Sequence, residues 1–298
     1  MVKLDIISGF LGAGKTTFVN KLLRYYMDSG LKPVCIVNEF GQTGLDRQII
    51  EADGFSAVEL EGGCVCCTLK DDVSTAIIQV IEAFSPTNIV FEPSGIFIFD
   101  NFFDIVKSEE LKNRCSIGSV VTVVDSVNFS FAKAMYGSFI YNQIKNSPAI
   151  ALSKLEKSEH QEVESLICDI KNINPDAIVT SKAWNEWKSV DFETLLNLGV
   201  SVDEHRANHH SFLKTVTINP TESFTRERFD EFVKRCISGK FGDICRAKGI
   251  LNVDGERILL NIAMLDVTVT PFRGSNPQTL TLIGNRVKEK KVEKFLGE

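Results

Sequence analysis

The chain has 298 residues, enough for about two domains, and its 44% hydrophobic and 24% charged residues are typical of a globular protein with a sizeable core. Its formal net charge of −6 excludes a general nucleic-acid-binding surface, which needs an excess of Lys and Arg, but leaves room for local basic patches. No apolar run approaches the roughly 20 residues that span a bilayer, so we expect neither a membrane nor nucleic acid among its partners.

Apolar, β-branched runs alternate with segments of helical periodicity from residue 1 to about residue 198. This alternation predicts an α/β domain in which helices cover both faces of a mostly parallel sheet. The runs that predict buried strands are VKLDII, KPVCIVN, NIVFE, GSVVTVVD, PAIALS and DAIVTS. The segments that predict helices are FVNKLLRYYMDSG, TAIIQVIEAF and HQEVESLICDIKNI.

A polar stretch without apolar periodicity, residues 199–210, interrupts this pattern and is predicted to be a linker. Residues 211–298 then predict a small C-terminal α+β domain. Its expected elements are, in order, a strand FLKTVTI, a helix RERFDEFVKRC, strands near 243–253, 256–271 and 278–283, and a short Lys-rich helix.

The sequence GFLGAGKTT at residues 9–17 follows the first strand and opens the first helix, and it fits the phosphate-loop pattern G-x-x-x-x-G-K-[ST]. Its glycines let backbone N–H groups curl around phosphate oxygens, and the helix N-terminus adds positive potential. We expect Lys15 to be exposed until it contacts the terminal phosphates, and the Thr16 hydroxyl to bind Mg²⁺. The predicted nucleotide-binding residues of this loop are Gly9, Gly12, Ala13, Gly14, Lys15, Thr16 and Thr17.

Two acidic residues are predicted to lie at the carboxyl ends of strands, where α/β sheets bind ligands. Glu92 ends the strand NIVFE and is followed by Pro-Ser-Gly, a position suited to Mg²⁺ or to a nucleophilic water. We therefore predict Lys15 and Glu92 as catalytic residues. Asp125 ends the strand VVTVVD, and a role as a ligand and a role as a helix cap or loop carboxylate both stay open for it.

The sequence ALSKLE at residues 151–156 ends the next predicted strand and is similar to the [NT]-K-x-D element with which GTPases bind guanine. In that element the Lys stem packs on the base and the Asp accepts hydrogen bonds from it. Lys154 and Glu156 are the corresponding predicted nucleotide-binding residues, and Ser153 takes the first position. The pattern favours GTP, with ATP as the alternative because Glu replaces Asp.

Together these segments resemble the CobW-like P-loop GTPases, which are metallochaperones related to the urease and hydrogenase nickel-insertion GTPases. The chain departs from that family in having only four histidines, in Gln42 where an acid often follows the switch segment, and in Glu156. The sequences that carry the resemblance are ISGFLGAGKTT, VNEFG with Asp46 following, EGGCVCCTL, FEPSG, VVTVVD, ALSKLE and, at residues 241–251, FGDICRAKGIL.

The resemblance implies a P-loop NTPase domain with GTPase activity at residues 1–198 and a CobW-like α+β domain at residues 211–298. It implies GTP and Mg²⁺ as ligands, with the Mg²⁺ held by Thr16, Asp46 and Glu92. The linker histidines are interpreted as ordinary polar residues rather than as a metal relay. They are His205, His209 and His210.

The sequence EGGCVCCTLK places three cysteines within four positions. We expect a cytoplasmic protein, because a strand beginning at Val2 leaves no room for a secretory signal, and cytoplasmic thiols stay reduced. Three thiolates suit Zn²⁺ or another soft metal ion, with a fourth position for water, Glu39 or a ligand from a partner, while a redox pair and inert packing are the alternatives. The predicted metal ligands are Cys64, Cys66, Cys67 and Glu39, and the cysteines predicted to be buried hydrophobic residues are Cys35, Cys115, Cys168, Cys236 and Cys245.

These residues predict a slow GTPase that couples its nucleotide state to the delivery of zinc to a client metalloprotein. We expect the client to dock near the C-terminal domain, and a nucleotide-dependent homodimer is left open. The alternatives are a nucleotide- and metal-binding sensor or buffer with little turnover, and an ATPase that activates a corrinoid-dependent or other metalloenzyme.

Overall fold

A computed structural model describes residues 1–38, 45–60, 70–97, 99, 102–196, 198, 214–274 and 277–296. The chain divides into two compact units, Met1–His209 and His210–Glu298. Each unit has a sheet and a hydrophobic core of its own. Within the described residues, no helix is both long enough and apolar enough to cross a membrane.

The first unit is built on a parallel sheet of seven strands, in the order β3-β2-β4-β1-β5-β6-β7. The prediction of an α/β domain with a mostly parallel sheet is confirmed. The carboxyl ends of these strands lie at one edge, which is where parallel sheets bind ligands. The strands are β1 Val2–Gly9, β2 Pro33–Val37, β3 Ala57–Glu59, β4 Asn88–Glu92, β5 Cys115–Asp125, β6 Ala149–Ser153 and β7 Ile178–Thr180.

Helices cover both faces of this sheet because successive strand residues point to opposite sides. Ile6 and Phe91 belong to the core cluster that includes residues of the helices Lys70–Phe84 and Phe102–Val106, whereas Ile7 and Val90 belong to the cluster of the helices Lys15–Asp28 and Ser189–Leu196. The helices are α1 Lys15–Asp28, α2 Leu45–Ala52, α3 Lys70–Phe84, α4 Phe102–Val106, α5 Phe129–Lys145, α6 His160–Ile173 and α7 Ser189–Leu196.

The elements β3, α2, α4, α5 and α7 were not predicted from the sequence. The longest of these, α5, has apolar side chains distributed around it rather than in one stripe, and its backbone leaves helical geometry at Tyr136. A helix of that kind shows little amphipathic periodicity. The strand β3 has only three residues, too few to display alternation.

The second unit has an antiparallel sheet of five strands, in the order β11-β10-β9-β12-β8, and two helices. The predicted small α+β domain is confirmed. Residues 256–271, predicted as one strand, are instead two, because the chain turns at Met264, which has a φ of 58°. The elements are β8 Lys214–Ile218, α8 Arg226–Ile237, β9 Asp243–Val253, β10 Glu256–Ala263, β11 Asp266–Pro271, β12 Thr279–Asn285 and α9 Glu289–Leu296.

Candidate functional site

The loop between β1 and α1 has the backbone geometry of an anion cradle. Gly9 has a φ of 147°, and a Cβ there would lie 2.4 Å from the Val123 carbonyl oxygen. Gly14 caps α1 in the left-handed region, with a φ of 94°. Side chains are disfavoured at both positions, so the glycines allow the loop to close over the N-terminus of α1. That helix end presents backbone N–H groups and a positive partial charge to an anion.

Lys15 is buried, with 7% of its surface exposed. Its ammonium Nζ donates a 3.4 Å hydrogen bond to the Phe10 carbonyl, across the loop that it belongs to. The expectation that Lys15 is exposed before phosphate arrives is therefore wrong. The loop folds over the lysine stem, whose Cγ lies 3.3 Å from the place a Cβ on Gly9 would take.

Thr16 and Glu92 meet at the edge of the sheet although they are 76 residues apart. The Thr16 hydroxyl donates a 2.9 Å hydrogen bond to Oε1 of Glu92, which is 3% exposed at the end of β4. A hydroxyl from the first helical turn and a carboxylate from a neighbouring strand are hard oxygen donors of the kind that Mg²⁺ prefers. Asp46 lies in α2, but its side chain is outside the described residues.

Ser153, at the end of β6, contacts the phosphate loop directly. Its hydroxyl donates hydrogen bonds of 2.6 Å to the Ala13 carbonyl and 3.3 Å to the Val124 carbonyl. Lys154 follows in the left-handed conformation with a φ of 57°. Glu156 is exposed on the short turn of 3₁₀ helix Leu155–Lys157. The segment predicted to bind the base is therefore fixed against the loop predicted to bind the phosphates.

Asp125 stabilises the turn that follows β5 by accepting hydrogen bonds from it. Its carboxylate accepts hydrogen bonds from the backbone N–H groups of Val127 at 2.9 Å and Asn128 at 3.2 Å. It also accepts from the Asn128 amide at 2.9 Å and pairs with the Lys154 ammonium at 2.7 Å. This geometry agrees with the interpretation of Asp125 as a loop carboxylate. Asp125 also has a second role, because its ion pair orients Lys154.

Three further residues contact or support the phosphate loop, and their contacts were not predicted from the sequence. A Cβ on Gly95 would lie 2.5 Å from the Leu11 nitrogen, so the segment after β4 touches the phosphate-loop backbone. Gln143 of α5 holds that segment by donating to the Gly95 carbonyl at 3.1 Å. Trp184 lies behind the loop, with its Cη2 3.6 Å from the place of a Cβ on Gly14. Long separations in sequence hid all of these contacts.

The predicted metal ligands Glu39, Cys64, Cys66 and Cys67 lie outside the described residues. So do the linker histidines His205, His209 and His210. In the part of the chain that is described, no group of three His, Cys, Asp or Glu side chains is arranged to hold a metal ion.

Four of the remaining cysteines are buried as predicted, but Cys168 on α6 is exposed, so that prediction is wrong for it. Burial raises the pKa of the Cys115 and Cys236 thiols, which disfavours the thiolate that a metal requires. The buried positions are Cys35, Cys115, Cys236 and Cys245.

Two family models match the chain. Residues 3–181 match the model "CobW/HypB/UreG, nucleotide-binding domain", and residues 213–298 match "Cobalamin synthesis protein cobW C-terminal domain". The chain belongs to the CobW/HypB/UreG family. The resemblance drawn from the sequence motifs is thereby confirmed.

Curated relatives within this family are named for zinc. "Zinc chaperone CobW" from a Sinorhizobium species is 34% identical over 132 residues, which cover 42% of this chain and 37% of that protein. "Zinc-regulated GTPase metalloprotein activator 1" from Dictyostelium discoideum is 26% identical over 325 residues, covering 90% of this chain and 67% of that protein. The chain thus spans little more than a third of the first relative.

Solved structures of other proteins also align with this chain. The crystal structure of Zn(II)-bound YjiA GTPase from E. coli aligns with 99% of this chain and 97% of that chain, at 18% sequence identity and a TM-score of 0.49.

Proposed function

We propose that this protein is a GTP-hydrolysing metallochaperone that binds zinc at its cysteine segment and couples its nucleotide state to delivery of the metal. The observation that carries the proposal is the contact between Thr16 and Glu92 beside a phosphate cradle, because it gathers the groups that nucleotide hydrolysis needs. Membership of a nucleotide-binding family whose relatives are named zinc chaperones and zinc-regulated GTPases supports GTP and zinc as its ligands.

In the proposed reaction, the N–H groups of residues 9–17 and the Lys15 ammonium hold the phosphates. Lys15 exchanges its hydrogen bond to the Phe10 carbonyl for contacts with phosphate oxygens, which keeps its buried charge satisfied. Thr16, Asp46 and Glu92 would hold Mg²⁺, which when bound neutralises charge that develops on the phosphates. Orientation of the attacking water is the alternative role proposed for the Glu92 carboxylate.

Recognition of the base is assigned to the segment after β6. Lys154, oriented by Asp125, would lay its stem along the base, and the exposed Glu156 would accept hydrogen bonds from guanine. Glutamate is one methylene longer than the aspartate of the related motif. We therefore propose a preference for GTP that is weaker than an aspartate would give.

Zinc is the proposed cargo. Cys64, Cys66 and Cys67 would bind it as thiolates, with the fourth position taken by water, Glu39 or a client ligand. An open fourth position suits a metal that must leave. We further propose that the client docks near the C-terminal domain at residues 211–298, beyond a linker at 199–210. A homodimer that forms with nucleotide is part of the same proposal.

The test is a titration of zinc against a competing chelator, with GDP bound and with a non-hydrolysable GTP analogue bound. Coupling between sites is typically about 1–3 kcal/mol, so zinc affinity should differ roughly 5- to 150-fold between the two states. A Cys66→Ser, Cys67→Ser double variant should lose the zinc, whereas Cys168→Ser, which removes an exposed thiol outside the segment, should keep it. Equal zinc affinities in the two nucleotide states would show that the protein binds both ligands without coupling them, and would contradict the proposal.

A further inference from the structure

A groove in the second unit is lined by five cationic side chains. It lies between the C-terminal end of α8 and the helix α9 and has a volume of about 650 Å³. Nothing in the proposed nucleotide or zinc chemistry uses it. Its walls include Arg235, Lys240, Lys288, Lys291, Lys294 and Phe295.

Three of these lysines are exposed and carry charge that the fold does not offset. Lys240, Lys291 and Lys294 form no ion pair with any carboxylate in the described part of the chain. The nearest acid on α8, Glu231, is already paired with Arg235 at 2.7 Å. That arginine, with smaller contributions from Lys240 and Lys234, holds the pKa of Glu231 below its usual range.

One lysine of the groove is already held by backbone carbonyls. The Lys288 Nζ donates to the carbonyls of Gly239 at 3.3 Å and Lys240 at 3.4 Å, which lie in the turn beyond the end of α8 at Ile237. Lys288 therefore offers less of its charge to a ligand than Lys240, Lys291 and Lys294, which also line the groove.

An aromatic floor gives the groove a fixed shape. The ring of Phe295 packs against Phe241 at 5.6 Å and Phe232 at 6.2 Å between ring centroids. The Arg235 guanidinium lies 4.7 Å above the centre of Phe295. Phe232 and Phe241 are fully buried, so the floor belongs to the core of the unit, and the cations are held around it.

The distribution of charge along the chain concentrates cations in this unit. Residues 210–298 contain 15 Lys and Arg against 11 Asp and Glu, a net charge of +4. Residues 1–209 contain 18 against 28, a net charge of −10.

We propose that this groove binds a short acidic segment of a partner protein. Lysines on both walls supply ammonium groups for several carboxylates, and the half-buried Phe295 ring accepts an apolar part of the same segment. The groove takes only a few residues, which suits a peptide better than a nucleic acid that extends along many phosphates. The inference concerns the second unit alone and does not depend on GTP or zinc.

The test is fluorescence anisotropy of a labelled, Glu-rich peptide of about eight residues with the full chain at about 0.15 M salt, where screening limits long-range effects to roughly 8 Å. Saturable binding is expected. Lys291→Glu and Lys294→Glu should each weaken it about fivefold or more, since each replaces an attraction with a repulsion. Lys290→Glu is the matched control on the same helix, because Lys290 is exposed and does not line the groove.

Circular dichroism melting should confirm that all three variants fold. Absence of saturable binding, or an equal loss in all three variants, would overturn the proposal. Labelled oligo-dT of the same charge is the competing probe. If it binds more tightly than the peptide and is lost in Lys291→Glu but not in Lys290→Glu, the groove is a nucleic-acid site and the acidic-peptide proposal is wrong.

Discussion

The Ser153 hydroxyl, at the end of β6, donates a 2.6 Å hydrogen bond to the carbonyl of Ala13, which lies 140 residues earlier in the chain. Ala13 belongs to the phosphate loop, and Ser153 immediately precedes Lys154 of the proposed base-binding segment. The two halves of the proposed nucleotide site are therefore held together before any ligand binds, which reduces the ordering cost of binding.

We expect Ser153→Ala to weaken GDP binding, because the variant loses this link. Ser119→Ala is the matched control, since the buried Ser119 hydroxyl donates to the Leu196 carbonyl at 2.7 Å, away from the carboxyl ends of the strands. Each variant should lose about 0.5–1.5 kcal/mol of stability, measured in urea. Calorimetry should find weaker GDP binding in Ser153→Ala alone; equal affinity in both variants would contradict the role of the link.

Glu92→Gln removes a charge while leaving an oxygen that can accept from the Thr16 hydroxyl. Metal affinities typically fall about 10- to 100-fold when a supporting partner of a metal site is lost, and we expect at least that range for Mg²⁺ here. The measurement is the Mg²⁺ concentration that gives half-maximal GTP turnover. Asp125→Asn is the comparison at the neighbouring strand end, and it should alter base discrimination rather than the Mg²⁺ requirement.

Lys15→Ala and Lys15→Met should both nearly abolish triphosphate binding, since neither keeps the ammonium. They should differ in stability without nucleotide. Alanine removes buried methylene groups worth about 0.8 kcal/mol each, so we expect a loss of about 1–2 kcal/mol that methionine largely avoids. Calorimetry and urea unfolding measure the two effects. Tight GTP binding by Lys15→Met would refute the assignment.

Glu156 sets the choice of base in the proposed site. Glu156→Ala should lower the ratio of GTP to ATP affinity about tenfold or more, because a charged hydrogen-bond acceptor is lost. Glu156→Asp should hold or raise that ratio. Competition between the two nucleotides measures it, with Glu164→Ala as a control at an exposed acid on α6. Equal affinities for GTP and ATP in the unmodified chain would favour the ATPase alternative.

Asp5 is buried in β1, and burial raises its pKa despite hydrogen bonds from the side chains of Tyr26 and Asn88 and from the backbone N–H of Ser119. Above the unfolded pKa of about 3.9, the unfolded chain releases this proton more readily than the folded chain, so stability falls as pH rises towards the folded pKa. We expect the Asp5→Asn variant to gain unfolding free energy relative to the parent as the pH rises above about 4.

Urea unfolding at several pH values measures this trend. Tyr26→Phe provides a check of the cause, because Tyr26 donates a 2.8 Å hydrogen bond that favours the ionised carboxyl. Its removal should raise the pKa of Asp5 further and extend the loss of stability to higher pH. If the difference in unfolding free energy between Asp5→Asn and the parent stays constant with pH, Asp5 does not cause the trend.

The parallel sheet could be predicted because its strands are continuous apolar runs that stand out from the helices between them. The antiparallel hairpin of β10 and β11 could not, since the turn at Met264 and Leu265 lacks the glycine, proline or asparagine that usually mark turns. The phosphate loop and Glu92 were predictable because local motifs specify them. The hydrogen bond of Ser153 to Ala13 could not be predicted, because it joins segments 140 residues apart. The burial of Lys15 could not be predicted either, because it depends on how the loop folds back over the side chain.

The two tryptophans of the sequence, Trp184 and Trp187, both pack on the ring of Phe18 in α1, at 5.4 and 5.6 Å between ring centroids. Trp184 also lies against Gly14 of the phosphate loop. The tryptophan emission of this protein therefore comes entirely from the surroundings of α1, and the second unit contributes nothing to it. Fluorescence follows the unfolding of the first unit alone, whereas circular dichroism follows both, so the two signals separate wherever the units lose structure independently.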